Sequence, residues 1–147
     1  MISTSLRRYK AKKVGWSLIN TPYRWGGDDP MKGFDCSGLC IEMLRSVALL
    51  PRKGDWTAND LAHLFPEVQT LKSGCLVFWL SSNGQRYRHV EFCLDSELSL
   101  GASGGGSRTT TEAEAVKSNA YIKVRPVRYP SRIVDPFAVK PYWWENK

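Results

Sequence analysis

Histidine is scarce in this chain: His63 and His89 are the two among 147 residues. Cysteine is sparse as well, at Cys36, Cys40, Cys75 and Cys93, and none of these forms a C-x-x-C pair. That donor set argues against a zinc site, and no metal or other cofactor is expected. No stretch approaches the ~20 apolar residues that would span a bilayer, so membrane insertion is not expected. The early basic residues Arg7, Arg8, Lys10, Lys12 and Lys13 are not followed by the apolar core of a secretory signal. The expectation is synthesis in the cytoplasm without a signal peptide, with release to the envelope or a place in a virion by another route. Internal repeats and linkers are lacking too. The glycine-rich stretch at 101–107 matches neither phosphate-binding pattern, and no strongly periodic helix is expected after it.

What is present fits one globular domain over residues 1–147. A chain of this length can bury roughly 70% of its unfolded surface without staples. Lys and Arg number 21 against 14 Asp and Glu, a formal charge of +7. The basic residues are scattered, and no nucleic-acid motif accompanies them, so nucleic-acid binding is not expected. General attraction to an anionic polymer fits the charge.

The periodicity predicts a helix over 5–20, with Leu6, Tyr9, Val14, Leu18 and Ile19 on its apolar side and basic residues opposite. Residues 23–33 read as a Gly- and Asp-rich loop. Leu39, Cys40, Met43, Leu44, Val47 and Ala48 predict an amphipathic helix over 35–50, closed by Pro51. A short helix fits 59–65. Strands are predicted at 74–79, 88–94, 98–102 and 120–127, the second and third forming a hairpin. The tail over 128–147 has no clear period and reads as an extended segment. Helices first and an antiparallel sheet after give an α+β fold.

Cys36 stands where the loop meets the helix. Unpaired N–H groups and the partial positive charge of a helix start favour a thiolate, the nucleophilic form of cysteine. A buried cysteine beside a capping Asp35 accounts for the same residues equally well. Ser37 and Gly38 keep the first turn small, which would let a substrate approach. A cysteine nucleophile needs a base. His63 sits in the short helix with no polar partner indicated, which leaves His89, mounted on a strand. Glu91 lies two residues on, on the same strand face and roughly 6.6 Å along it, within reach of the imidazole. It reads either as the group that orients His89 or as a charge on a solvated face. Tyr23, Trp25 and Phe34 either wall a peptide groove or pack the loop against the core. Cys40, Cys75 and Cys93 read as small buried apolar residues.

Tyr23-Arg24-Trp25-Gly26-Gly27, Phe34-Asp35-Cys36-Ser37-Gly38, Gly74-Cys75-Leu76-Val77-Phe78 and His89-Val90 resemble the NlpC-type cell-wall cysteine peptidases. The resemblance implies a papain-like α+β fold and cleavage of peptidoglycan peptides, with Cys36 as nucleophile and His89 as base. It also implies that Tyr23 lines the site, that Asp35 and Ser37 shape the pocket or hold a stem-peptide amine, and that Trp25 helps bind substrate. Two positions depart from the pattern. The family's polar third residue would fall at Gly101, so Glu91 is expected to replace it from the same strand as His89. Cys75 stands where relatives carry Asp. The unaccompanied domain suits a bacteriophage or prophage product, with phage tail or virion proteins as partners. A non-catalytic virion or wall-binding module, and an acyltransferase or amidase using the same residues, are the competing readings.

Overall fold

The helix that opens with Cys36 is the centre of the molecule. The computed structural model describes residues 3–29 and 33–146. The middle of the expected loop and the last residue of the expected tail lie outside those bounds. In chain order the elements are α1 (Thr4–Trp16), β1 (Asp28–Asp29), β2 (Gly33–Phe34), α2 (Cys36–Arg45), α3 (Ala58–Leu64), β3 (Leu76–Leu80), β4 (Tyr87–Cys93), β5 (Leu98–Ser103), α4 (Glu112–Ser118), β6 (Tyr121–Pro126) and β7 (Arg132–Val134). Two short 3-10 turns, Pro136–Ala138 and Trp143–Asn146, follow.

Leu39, Cys40, Met43 and Leu44 are fully buried, and Ile41 nearly so, so α2 is apolar on most of its circumference. It lies between α1 and the sheet strands β4 and β5. The helix stops at Arg45 rather than reaching Leu50. Ser46 caps it and Ala48 turns the chain through a left-handed conformation (φ 59°). The Arg45 guanidinium fixes the exit by donating to the carbonyls of Pro51 and Gly54.

The sheet is antiparallel throughout, with five strands in the order β6-β5-β4-β3-β7. Val90 and Phe92 of β4, and Leu94 just beyond its end, face the main core, as their alternation predicts. The opposite face is not solvated. Cys75, Val77 and Cys93 form a second buried cluster there, covered by Val68, Leu71, Trp79, Val127 and Ile133. Burial therefore accounts for Cys40, Cys75 and Cys93, and it raises all three thiols above their ordinary range, Cys93 to about 12.

Two expectations are corrected. The buried face of α1 is Arg7, Ala11 and Gly15, while Leu6 and Tyr9 are exposed. Gly15 permits the close approach, since a Cβ there would stand 2.5 Å from Leu100 and Met43 side-chain atoms. The helix that follows the glycine-rich stretch has no strong period, as expected: Thr111 caps α4 by accepting from Glu114 N, and only Ala115 of its residues is buried. The tail is not merely extended, because β7 pairs with β3 along the sheet edge through Leu76–Val134, Val77–Ile133 and Phe78–Arg132. The 3-10 turns then return the chain over α1 and α2.

That return is held by one buried ion pair. Arg8 of α1 donates two hydrogen bonds to Asp135, at 2.9 and 2.7 Å, and Phe137 N donates a third at 3.0 Å. Both side chains are largely buried, so removing one leaves the other charge uncompensated. Asp135→Ala should lower unfolding free energy by about 3 kcal/mol. Urea denaturation reads it, and an unchanged midpoint would show that the pair contributes nothing.

Candidate active site

Asp35 is the N-cap of α2. Its Oδ1 accepts from Gly38 N at 2.7 Å, and its Oδ2 accepts from Gly26 N at 3.0 Å. One carboxylate thus starts the helix and ties it to the Tyr-Arg-Trp-Gly-Gly loop. Gly38 is small for a reason other than substrate access: a Cβ there would lie 2.1 Å from the Gly27 carbonyl oxygen. Burial raises the Asp35 pKa, and the bonds from Gly38, Gly26 and Ser37 partly offset that. Ser37 Oγ donates to Asp35 Oδ1 at 3.3 Å. Asp35 and Ser37 build the base of the helix start and are not among the residues lining the adjoining cleft.

Cys36 is the first residue of α2, 9% exposed, and opens into a cleft of about 990 Å³. Tyr23, Trp25, Trp79, His89 and the loop Gly104–Gly106 share that cleft. Tyr23 is buried, and its hydroxyl pKa is raised by desolvation first and by Cys36 and Asp35 second. Gly105 must be bare because a Cβ there would stand 2.3 Å from the Tyr23 ring. Trp25 is more than half exposed, so it stands at the cleft rather than in the core. Phe34, by contrast, is fully buried and packs the loop. Ser103 Oγ, buried and with no hydrogen-bond partner among the described residues, also lines the cleft.

His89 is carried by β4 opposite Trp79, against whose ring it tilts at 5.6 Å between centroids. The pairing of β3 with β4 skips Arg88, a bulge that re-aims the strand beside the histidine. The Arg88 carbonyl oxygen lies 4.0 Å from Cys36 Sγ. His89 Nε2 is 2.6 Å from Glu91 Oε2. Burial alone would lower the imidazole pKa, but hydrogen bonds with Cys36 and Glu91 and their charges outweigh it and hold His89 at about 9. With Nε2 engaged by the carboxylate, Nδ1 is the nitrogen left for the thiol.

Glu91 is fully buried, which rules out the solvated-face reading. Ser99 Oγ donates to its Oε1 at 2.7 Å, and Arg125 Nη2 donates to its Oε2 in a short ion pair. Desolvation pushes its pKa up, yet the bond and charge of His89, then Ser99 and Arg125, bring it below the ordinary value. Gly101 explains how this side chain fits. A Cβ at 101 would lie 2.4 Å from Glu91 Cγ and 2.7 Å from Cδ, so Glu91 occupies the space that a side chain at 101 would need. Ser99 and Arg125 escape sequence reasoning because they meet Glu91 through the pairing of β5 with β6, where they stand directly opposite each other. His63 lies away from the cleft, exposed on α3 and edge-on to Tyr87. Among the described residues no group of three or more His, Cys, Asp or Glu is placed to hold a metal ion.

A helix carrying a cysteine at its start, packed on an antiparallel sheet that carries a histidine, is the papain-like α+β arrangement. Known proteins agree. The sequence model of the NlpC/P60 family matches residues 20–126, and the chain belongs to that family. It is 40% identical over 136 residues to murein DD-endopeptidase MepH of Escherichia coli K12, a match covering 84% of this chain and 49% of MepH. The chain therefore spans about half the length of that relative. The solved NlpC/p60 domain of peptidoglycan hydrolase SagA superposes with a TM-score of 0.65 and 27% identity, over 87% of this chain and 97% of that one. The P60 domain of a Mycobacterium avium subspecies paratuberculosis antigen gives a TM-score of 0.69 at 25% identity, over 92% and 98%. No helix among the described residues is long and apolar enough to cross a membrane.

Two outcomes follow from the Glu91 pocket. Gly101→Ala should lower unfolding free energy by about 1–3 kcal/mol through overpacking, read by urea denaturation. A variant as stable as the parent would show that the pocket has room to spare. The second concerns pH. His89 is raised from 6.5 to about 9, so its contribution to stability is fully present below 6.5 and is lost as pH rises through 9. Unfolding measured across that window should show a falling stability that Glu91→Gln flattens, and parallel curves would contradict it.

Proposed function

We propose that the domain is a cysteine endopeptidase that hydrolyses amide bonds in peptidoglycan peptides. The observation that carries the reading is the imidazole of His89, which shares the cleft with the Cys36 thiol and is held from behind by the buried Glu91 carboxylate. A cysteine, a base and a group that orients the base are what acyl transfer through a thiolate requires. The substrate class comes from the relatives, whose names describe a murein endopeptidase and a peptidoglycan hydrolase.

In this reaction the Cys36 sulfur attacks the amide carbonyl carbon. Negative charge gathers on the carbonyl oxygen, and the backbone N–H of Cys36, at the start of α2, is placed to receive it. The imidazolium of His89 gives its Nδ1 proton to the departing amine, leaving a thioester on Cys36. Water, losing a proton to His89, then cleaves the thioester, releasing the acid and restoring the thiol. Glu91 stabilises the imidazolium and fixes the ring through Nε2, while Ser99 and Arg125 keep the carboxylate ionised and in place. Tyr23 and Trp25 wall the groove beside the thiol.

The test is digestion of purified peptidoglycan fragments with products identified by mass. Cys36→Ala should abolish cleavage while keeping the fold. Cleavage surviving in that variant would overturn the reading, and an amine adduct in place of the free acid would point to acyl transfer. Glu91→Gln should fold and lose about 10²-fold or more in kcat, since correct orientation and protonation of a base are worth that much. Its pH profile gives an independent check. The parent's alkaline limb should lie near 9, where the imidazolium is lost, and Glu91→Gln should move it to lower pH because the carboxylate helps to raise His89. An unmoved limb would show that Glu91 does not act through the histidine.

A further inference from the structure

A second pocket, of about 530 Å³, lies where α2 ends and the C-terminal turns return. Cys36 opens α2 and this pocket begins at Arg45, so ten helical residues, about 15 Å, separate the two sites. Arg7, Lys10, Arg45 and Arg52 contribute to its lining, and no carboxylate does. Arg52 approaches Glu42 only at 3.9 Å with its own side chain mostly exposed, so most of that positive charge is unneutralised. Arg7 is the unusual member. Its residue is 9% exposed, and its Nη1 is buried with no hydrogen-bond partner among the described residues. Its guanidinium lies over the Phe137 ring, 5.6 Å from the centroid, and so adds positive charge to the pocket wall without a carboxylate partner there.

The remaining wall is aromatic. Tyr142 and Trp144 line the pocket, with rings 5.6 Å apart and inclined at 57°. Tyr142 is held there in a left-handed conformation (φ 56°) by donating its N–H to the Ala48 carbonyl at 2.9 Å. Two inclined rings offer a face and an edge to a saccharide's C–H surface, not the parallel slot that suits a flat base. A bare phosphate or carboxylate would leave most of the volume empty. We propose that this pocket binds an anionic saccharide, a sugar bearing a carboxylate, with the acid on the arginines and lysine and the ring against Tyr142 and Trp144. The site does not depend on the proposed peptidase reaction. If that reaction takes place on peptidoglycan, the pocket holds a glycan while the cleft works on the peptide.

The probe is N-acetylmuramic acid, set against N-acetylglucosamine, which lacks its lactyl carboxylate. Each is titrated into the full chain while the indole N–H resonances are followed, with Trp144 assigned through Trp144→Phe. Saturable movement of the Trp144 resonance by the acid, with affinity at least about tenfold above that for the neutral sugar, supports the site, since charge-assisted hydrogen bonds are worth that much. The double variant Lys10→Glu, Arg52→Glu, which leaves the buried Arg7 in place, should weaken the acid about tenfold or more. It should also cleave a short glycan-free peptide substrate as the parent does. Equal binding of the two sugars overturns the proposal. So does unchanged binding of the acid in the double variant, or tighter binding of adenosine monophosphate or inorganic phosphate than of the acid.

Discussion

A carboxylate with no exposure to solvent sets the terms for the sheet's half of the site. An ionised Glu91 would be intolerable in the protein interior unless every part of its charge found a partner. It finds three: His89 on its own strand, Ser99 across β5 and Arg125 across β6. A fourth position, Gly101, serves by having no side chain at all. Three adjacent strands must hold register for this set to assemble, because a one-residue slip would turn Ser99 or Arg125 to the other face. The main core, built on Val90, Phe92, Leu100 and Ile122, is what prevents such a slip.

The helix's half of the site depends on a different constraint, close backbone approach. Asp35 bridges the loop and the helix start, and Gly38 lets the Gly27 carbonyl press against the first turn. Gly15 similarly lets α1 press α2 onto the sheet. The thiol of Cys36 is therefore positioned by packing at both ends of its environment, while β4 brings the imidazole to it. Neither half contains the whole site, which explains why 53 residues (89 − 36) separate the two central side chains in the chain but not in space.

How much of this was legible in the sequence follows from the range of each interaction. The helix α2, the hairpin of β4 and β5 and the pairing of His89 with Glu91 rest on local periods of 3.6 and 2, and these read directly. The face of α1 did not, because Arg7 buries a charged side chain while Leu6 is left in water. The helix α4 buries only Ala115, so it has almost no apolar period. Its signal was a capping pattern, Thr111 followed three residues later by Glu114. The three residues of β7 are too few to alternate visibly and become a strand only because the edge of β3 is there to pair with. Ser99 and Arg125 could not be assigned to Glu91 without the strand register, although Gly101 hinted that a side chain was missing from that place.

The choice of a carboxylate behind the histidine has a chemical consequence that a neutral amide at the same place would not have. An amide can orient an imidazole, but it adds no charge to favour the protonated ring. Glu91 does both, and His89 is held at about 9 in spite of its burial. A buried carboxylate left alone would take up a proton itself and lose that effect, since desolvation raises its own pKa. The bond and charge of His89, then the Ser99 hydroxyl and the permanent charge of Arg125, resolve the conflict, with Arg125 and His89 meeting the same oxygen, Oε2. The arrangement is thus a run of alternating charge, guanidinium to carboxylate to imidazolium, that ends beside the Cys36 sulfur. Such an order keeps the imidazole protonated, and a cationic neighbour is the setting that the proposed sulfur nucleophile needs.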